Sequence, residues 1–85
     1  MKYLSQGGES RARFDLLLSL TKISSEPLQD ALSDYLVKGF GDCAAAAMNG
    51  VQLSNFNRAL VTLNQVAATV ERIKELDWQH LKSVN

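Results

Sequence analysis

Apolar residues recur at helical spacing along most of the chain and predict an all-α fold. The longest pattern starts near Ser54 and meets no Gly or Pro, which predicts one long helix, or two nearly continuous ones, to about Leu76. Three shorter helices are predicted before it: Glu9 or Ser10 to about Lys22, Ser25 to Gly39, and Asp42 to Met48. The apolar residues predicted to face the core are Phe14, Leu17, Leu18, either Ile23 or Leu20, Leu28, Ala31, Leu32, Tyr35, Leu36, Phe56, Leu60 and Leu63.

The third and fourth helices have the spacing of a helix-turn-helix. Ala45 and Ala46 are small enough for two helices to approach closely, and Gly50 tolerates the positive φ of a tight turn. Ser54 is a suitable N-cap for the second helix of the pair, because its hydroxyl accepts from a free backbone N–H. An ordinary helical hairpin fits the same pattern, and the two interpretations stay open at this point.

The second helix of this motif carries polar residues that suit DNA recognition. Asn and Arg make bidentate contacts with adenine and guanine edges, so we expect Asn55, Asn57 and Arg58 to read bases. Gln52 and Ser54 would hold the DNA backbone, and Lys38 or the arm with Arg11 and Arg13 would add phosphate contacts. The full predicted DNA-binding set is Gln52, Ser54, Asn55, Asn57, Arg58, Thr62 and Lys38.

The chain divides into a flexible leader over residues 1–8, a helical helix-turn-helix domain over residues 9–76, and a tail over residues 77–85. A helix that reaches Leu76 would project past a three-helix core, so we expect its second half to pack on another subunit as a dimer. The alternative is that it folds back onto the first helix of the same chain. The predicted oligomerisation residues are Val66, Val70, Ile73, Leu76 and Trp78.

Composition excludes several classes of protein. The 85 residues form one domain, and nine basic and nine acidic residues give a net charge of zero, so any DNA-binding face must come from uneven charge distribution. The single Cys43 cannot form an internal disulfide, which fits the cytoplasm, and no apolar run predicts a membrane span. Cys43 is predicted to be a small buried residue and His80 lies alone near the end, so we expect no enzyme, no cofactor, no metal and no small-molecule substrate.

Three groups of residues between Leu16 and about Val66 follow one another in a specific order: Leu-Thr-Lys-Ile-Ser-Ser-Glu at 20–26, Asp-Tyr-Leu-Val at 34–37, and Phe56, Leu60 and Leu63. In this order and spacing the chain resembles the PapB-type regulators of bacterial adhesin and pilus operons. The resemblance implies an all-helical cytoplasmic regulator of fimbrial genes that self-associates and binds double-stranded DNA, often in A·T-rich regulatory regions.

The chain departs from that family pattern in the recognition helix. Family members tend to have arginine where this chain has Thr62 and Gln65, so Arg58 is the basic residue that remains there. An alternative function therefore stands beside DNA binding. In that alternative the protein pairs with a related regulator through its long helix and binds DNA weakly or not at all.

Overall fold

Four helices make up the fold in the computed structural model, which describes residues 2–83. They are α1 (Arg11–Ser19), α2 (Glu26–Leu36), α3 (Asp42–Met48) and α4 (Leu53–Ser83). The first three helices pack around the first half of α4, and the second half of α4 projects beyond them, which gives the molecule extents of 52 × 22 × 19 Å. The predicted all-α class with a long final helix is therefore confirmed.

The core is one apolar cluster on a single face of α4. Phe56, Leu60, Leu63 and Ala67 recur at three- and four-residue intervals, so they form a continuous stripe that α1, α2 and α3 cover. Phe56 is fully buried and meets Tyr35 of α2 edge to face, with ring centroids 5.6 Å apart. This stripe fixes which side of α4 faces solvent.

α1 is shorter than the sequence predicted, since it ends at Ser19 rather than near Lys22. Thr21 explains the early end. Its hydroxyl donates to the carbonyl of Leu18 at 2.7 Å and accepts from the backbone N–H of Ile23 at 3.3 Å. A threonine that bonds neighbouring backbone groups in this way competes with helix hydrogen bonds.

Residues 2–8 are not a free leader, and this corrects the prediction of a flexible segment over residues 1–8, of which Met1 lies outside the described residues. Leu4 is buried in the core, and the backbone N–H of Tyr3 donates to Asn64 Oδ1 of α4 at 3.0 Å. Gly7 then packs against Gly39, where both residues have positive φ and a Cβ on Gly7 would lie 3.0 Å from the Cα of Gly39. The two glycines allow this close approach, so residues 2–8 are held against the helical domain.

The C-terminal residues also differ from the prediction. Residues 77–83 continue α4 instead of forming a separate tail, because the chain has no Gly or Pro after Gly50 to stop the helix. Val84 and Asn85 of the predicted tail lie outside the described residues. None of the helices described for residues 2–83 is long and apolar enough to cross a membrane.

Candidate nucleic-acid interface

α3 and α4 form the predicted helix-turn-helix, joined by residues 49–52. The bounds of α3 match the prediction, and Gly50 has a φ of +66° with open space around it. The backbone N–H of Val51 donates to the carbonyl of Ala46 at 2.9 Å, which closes the turn. Buried Ala45 and Ala46 bring α3 against its neighbours, as expected from their size.

The start of α4 corrects the prediction for Ser54. The helix begins at Leu53, and the backbone N–H of Phe56 donates to the carbonyl of Gln52 at 3.0 Å. Gln52 therefore occupies the capping position, and Ser54 lies inside the first turn with an exposed side chain. The closed turn at Val51 starts the helix before Ser54 is reached.

The structure separates the predicted base-reading residues into two groups. Asn55, Arg58 and Thr62 follow at three- and four-residue intervals and lie on one side of α4. Asn57 is exposed but is rotated by about 160° from Asn55 around the helix axis, given about 100° per residue. The two groups lie on different faces of α4, so they cannot both contact the bases of one DNA groove from a single helix face.

Arg58 is the most available cation of this surface. It is exposed and makes no ion pair or hydrogen bond through its guanidinium within residues 2–83. Thr62, by contrast, donates its hydroxyl to the carbonyl of Arg58 at 3.2 Å. Arg58 can thus reach a partner without first breaking an internal contact.

Asn55, Arg58 and Thr62 form one wall of a groove between α4 and the start of α2, which we call the α2–α4 groove. Its volume is about 620 Å³. The residues that line it are Ile23, Ser25, Pro27, Leu28, Gly50, Val51, Gln52, Asn55, Arg58, Ala59 and Thr62. The predicted residue Gln52 therefore joins the same site.

The other residues that were predicted to contact phosphate are instead paired with side chains of the protein itself. Lys38 pairs with Asp34 at 3.3 Å and follows the C-terminal end of α2, on the order of 15 Å along the helix from the groove. Arg11 donates to Ser33 Oγ at 2.6 Å, and Arg13 pairs with Glu9 and with Glu71. These residues stabilise the fold, and the structure does not bring them to the groove.

A buried polar contact that the sequence prediction missed holds the turn of the motif. Asp34 is buried, and its Oδ2 accepts from Nδ2 of Asn49 at 2.9 Å, while the same amide donates to the carbonyl of Ala45 at 2.8 Å. The hydrogen bond from Asn49 lowers the pKa of Asp34, and Lys38 and Arg11 contribute in the same direction against the effect of burial. The sequence did contain a signal for this contact, namely an aspartate, Asp34, on the apolar face of α2.

The predicted oligomerisation residues occupy two sides of α4. Val66, Val70 and Ile73 line a second groove with Leu20, the residue that follows the C-terminal end of α1. We call it the α1–α4 groove, and Leu76 follows one turn later on α4. The whole lining is Leu20, Thr62, Gln65, Val66, Thr69, Val70 and Ile73. Trp78 is rotated by about 140° from Ile73, so it cannot belong to the same face.

The alternative in which α4 folds back onto α1 holds for part of the helix. Ala67 is fully buried, and Arg13 of α1 pairs with Glu71 at 3.3 Å. From Arg72 to Lys82 every side chain is exposed. α4 therefore packs on its own chain as far as Glu71 and projects beyond that residue.

The residues considered for catalysis do not form a site. Cys43 is exposed, which corrects its predicted burial, because it lies on the solvent side of the short α3. His80 lies on the projecting end of α4. Within residues 2–83, no three His, Cys, Asp or Glu side chains are placed to hold a metal ion.

Comparisons with known proteins agree with this architecture. The sequence profile of the PapB family, described as adhesin biosynthesis transcription regulatory protein, matches residues 1–76. The F1845 adhesin operon regulatory protein of Escherichia coli is 36% identical over 61 residues, which cover 72% of this chain and 72% of that protein. The AFA-III adhesin operon regulatory protein of Escherichia coli is 33% identical over 70 residues, which cover 82% and 69% of the two chains.

A solved structure shares the arrangement of helices. The crystal structure of Escherichia coli FocB superposes with a TM-score of 0.81 at 27% sequence identity. The match covers 87% of this chain and 84% of FocB. The helix-turn-helix of α3 and α4, with its long second helix, therefore belongs to a fold that is already known from a crystal.

Proposed function

This chain belongs to the PapB family of adhesin biosynthesis transcription regulatory proteins and is a transcriptional regulator of fimbrial operons, and from that premise we propose that it binds regulatory-region DNA through the first turns of α4. The DNA would be double-stranded and often A·T-rich. Because such a regulator shares a compartment with the chromosome, we place it in the cytoplasm.

The observation that carries this proposal is the free guanidinium of Arg58 on the exposed side of the helix-turn-helix. The second helix of such a motif enters the major groove with its N-terminal residues toward base edges. Arg58 lies in the second turn of α4, beside Asn55, and both side chains are exposed. An arginine in this position suits a bidentate contact with guanine, and an asparagine suits adenine.

The remaining predicted residues take supporting roles. Gln52 and Ser54 lie at the start of α4, where side chains and backbone N–H groups of a helix contact phosphates. Thr62 lies one turn beyond Arg58 in the same groove. Asn57 lies on the opposite flank of the helix, so we assign it a contact with the DNA backbone rather than with the bases that Arg58 reads.

Self-association would offset the neutral charge of one chain. We propose that two chains pair over the α1–α4 groove and the exposed side chains beside it, of which Ile73 and Leu76 are 52% and 63% exposed and Leu20 is 63% exposed. Neighbouring apolar side chains this exposed are typical of an interaction surface. A dimer presents two copies of Arg58, and linked weak contacts raise the apparent affinity.

The test is fluorescence anisotropy with DNA from an adhesin-operon regulatory region and a shuffled control, over a salt series. Wild-type protein is expected to prefer the operon DNA and to bind more weakly as salt increases. Arg58→Ala is expected to lose discrimination by about 1–3 kcal/mol, the usual value of one bidentate base contact. Arg72→Ala is the matched control, because Arg72 is also exposed and unpaired within residues 2–83, about 21 Å farther along α4.

Two results would contradict the proposal. If Arg58→Ala and Arg72→Ala have the same effect on sequence preference, Arg58 does not read bases. If the folded wild-type protein does not bind DNA at low salt, the projecting apolar end of α4 favours the alternative function. In that case the protein would act by pairing with a related regulator.

A further inference from the structure

The second wall of the α2–α4 groove comes from the loop between α1 and α2. Ile23 and Ser25 of this loop line the α2–α4 groove, and Leu20 lines the α1–α4 groove. Thr62 of α4 borders both grooves. Lys22 is not among the lining residues of either groove, but it directly precedes Ile23, so its backbone lies at the edge of the α2–α4 groove.

Lys22 resembles Arg58 in being unpaired. It is exposed, and within residues 2–83 it makes no ion pair, hydrogen bond or ring contact through its ammonium group. Other basic residues are engaged: Arg11, Arg13, Lys38 and Lys74 in ion pairs, and Lys2 and Lys82 over aromatic rings. The neutral chain thus keeps one free cation, Arg58, in the lining of the α2–α4 groove and a second, Lys22, beside Ile23 in the loop at the groove's edge.

The loop that carries Lys22 is fixed by hydrogen bonds. Gln29 Nε2 donates to the carbonyl of Ile23 at 2.8 Å, and the backbone N–H of Ile23 donates to Thr21 Oγ1. Ser25 Oγ accepts from the backbone N–H of Leu28 at 3.4 Å. Because the backbone is already ordered, a contact from Lys22 costs only the freedom of its own side chain.

The lining of the groove suits one strand of a nucleic acid. Among its lining residues in the described chain none is acidic, Ser25 and Thr62 supply hydroxyls, and Ile23, Leu28 and Ala59 supply apolar surface. A sugar–phosphate strand offers anionic oxygens to the cations and hydroxyls, and the less polar faces of its sugars to the apolar residues. A purely apolar protein helix would leave the two cations without partners.

On the premise of the proposed function, we propose that the α2–α4 groove holds one sugar–phosphate strand of the DNA, with Lys22 and Ser25 in contact with its phosphates. Arg58 stands on the facing wall and reads the bases of the adjoining groove of the duplex. Lys22 then contacts the DNA whatever its sequence, so its loss weakens binding equally for all sequences. Loss of Arg58, by contrast, changes the sequence preference.

Lys22→Gln tests this contact. Loss of one phosphate contact reduces the slope of log binding constant against log salt concentration by about 0.9 in magnitude. This corresponds to about eightfold weaker binding at 0.1 M salt. The loss is expected to be equal for operon DNA and for shuffled DNA. Lys82→Gln is the control, because it removes the same charge from an exposed lysine about 36 Å farther along α4 than Arg58, and it is expected to leave both quantities unchanged.

Glu26→Gln tests the same contact in the opposite direction. Glu26 is an exposed acid next to Ser25, so its charge repels a phosphate in the groove, and its removal is expected to tighten binding to both DNAs. Circular dichroism and thermal unfolding check that each variant is folded.

The outcomes separate this inference from the proposed function. If the wild type binds operon DNA selectively while Lys22→Gln keeps its affinity and its salt dependence, the groove does not hold a strand, and the role of Arg58 stands. If Lys22→Gln changes sequence preference instead, Lys22 reads bases and the assignment to phosphate is wrong. Absence of DNA binding by folded wild-type protein overturns the proposed function and this inference together.

Discussion

The contact between Asn49 and Asp34 gives the sharpest prediction for stability. Asn49→Ala removes the amide that donates to the buried Asp34 carboxylate at 2.9 Å and to the carbonyl of Ala45 at 2.8 Å. Lys38 remains as the ion-pair partner of that carboxylate, which is 12% exposed. Leaving a buried acceptor without its donor costs about 1–3 kcal/mol, so the free energy of unfolding is expected to fall by that amount.

Urea unfolding followed by circular dichroism at a fixed protein concentration measures this change. In a domain of this size 1 kcal/mol shifts the melting temperature by about 4–8 °C, so thermal unfolding is expected to resolve it as well. Asn57→Ala is the matched control, because Asn57 is exposed, and it is expected to change the unfolding free energy by no more than about 0.5 kcal/mol.

The pH dependence of the difference follows from the pKa of Asp34. The hydrogen bond from Asn49 lowers the pKa of Asp34 in the folded protein below its pKa in the unfolded chain. The stabilisation is therefore fully present at a pH above the pKa of the unfolded chain, and it is lost as the pH falls through the pKa of the folded protein. The stability difference between the wild type and Asn49→Ala is therefore expected to be largest near neutral pH and to narrow below about pH 4. Equal stability of Asn49→Ala and Asn57→Ala, or a difference that widens in acid, would refute this reasoning.

Three further predictions concern the first residues and the projecting helix. Leu4→Ala is expected to lower the free energy of unfolding by about 2 kcal/mol or more in urea, because Leu4 is buried, whereas a free leader would show no change. Gly7→Ala is expected to cost about 1–2 kcal/mol in the same assay, since φ is +68° and the new Cβ would meet Gly39. Ile73→Asp is expected to weaken the proposed dimerisation in sedimentation equilibrium while Gln79→Asp leaves it intact, and equal association of the two variants would exclude the α1–α4 groove as the interface.

The elements that depend on local signals could be predicted from the sequence. The bounds of α3 and the turn at Gly50 follow from small residues and a glycine at the right spacing. The buried stripe of Phe56, Leu60 and Leu63 follows from helical periodicity. In each case the residues that determine the element lie within a few positions of one another, so the local sequence pattern is enough to predict it.

The features that depend on distant contacts could not be predicted in this way. The first residues are held by Tyr3 and Asn64, which are 61 positions apart, and by the approach of Gly7 to Gly39. The pairing of Lys38 with Asp34 is a different case, because the two residues are four positions apart and the sequence itself contains that spacing.

Helical geometry is enough to improve two of the predictions. Counting at about 100° per residue along the sequence separates Asn57 from Asn55 and Trp78 from Ile73. The same count places Arg72 on nearly the same side of α4 as Arg58, within about 40°. Lys22 carries no such signal, because the place of its loop beside the α2–α4 groove depends on how that loop packs against α4.

The most direct test of DNA recognition by α4 and the α1–α2 loop is a nuclear magnetic resonance titration of the labelled protein with operon regulatory DNA. If these two elements form the interface, the largest changes in amide shifts will fall on residues 52–62 and 20–27, with weaker changes for shuffled DNA. Changes confined to the projecting residues 72–82, or an absence of changes at low salt, would contradict DNA recognition through these elements.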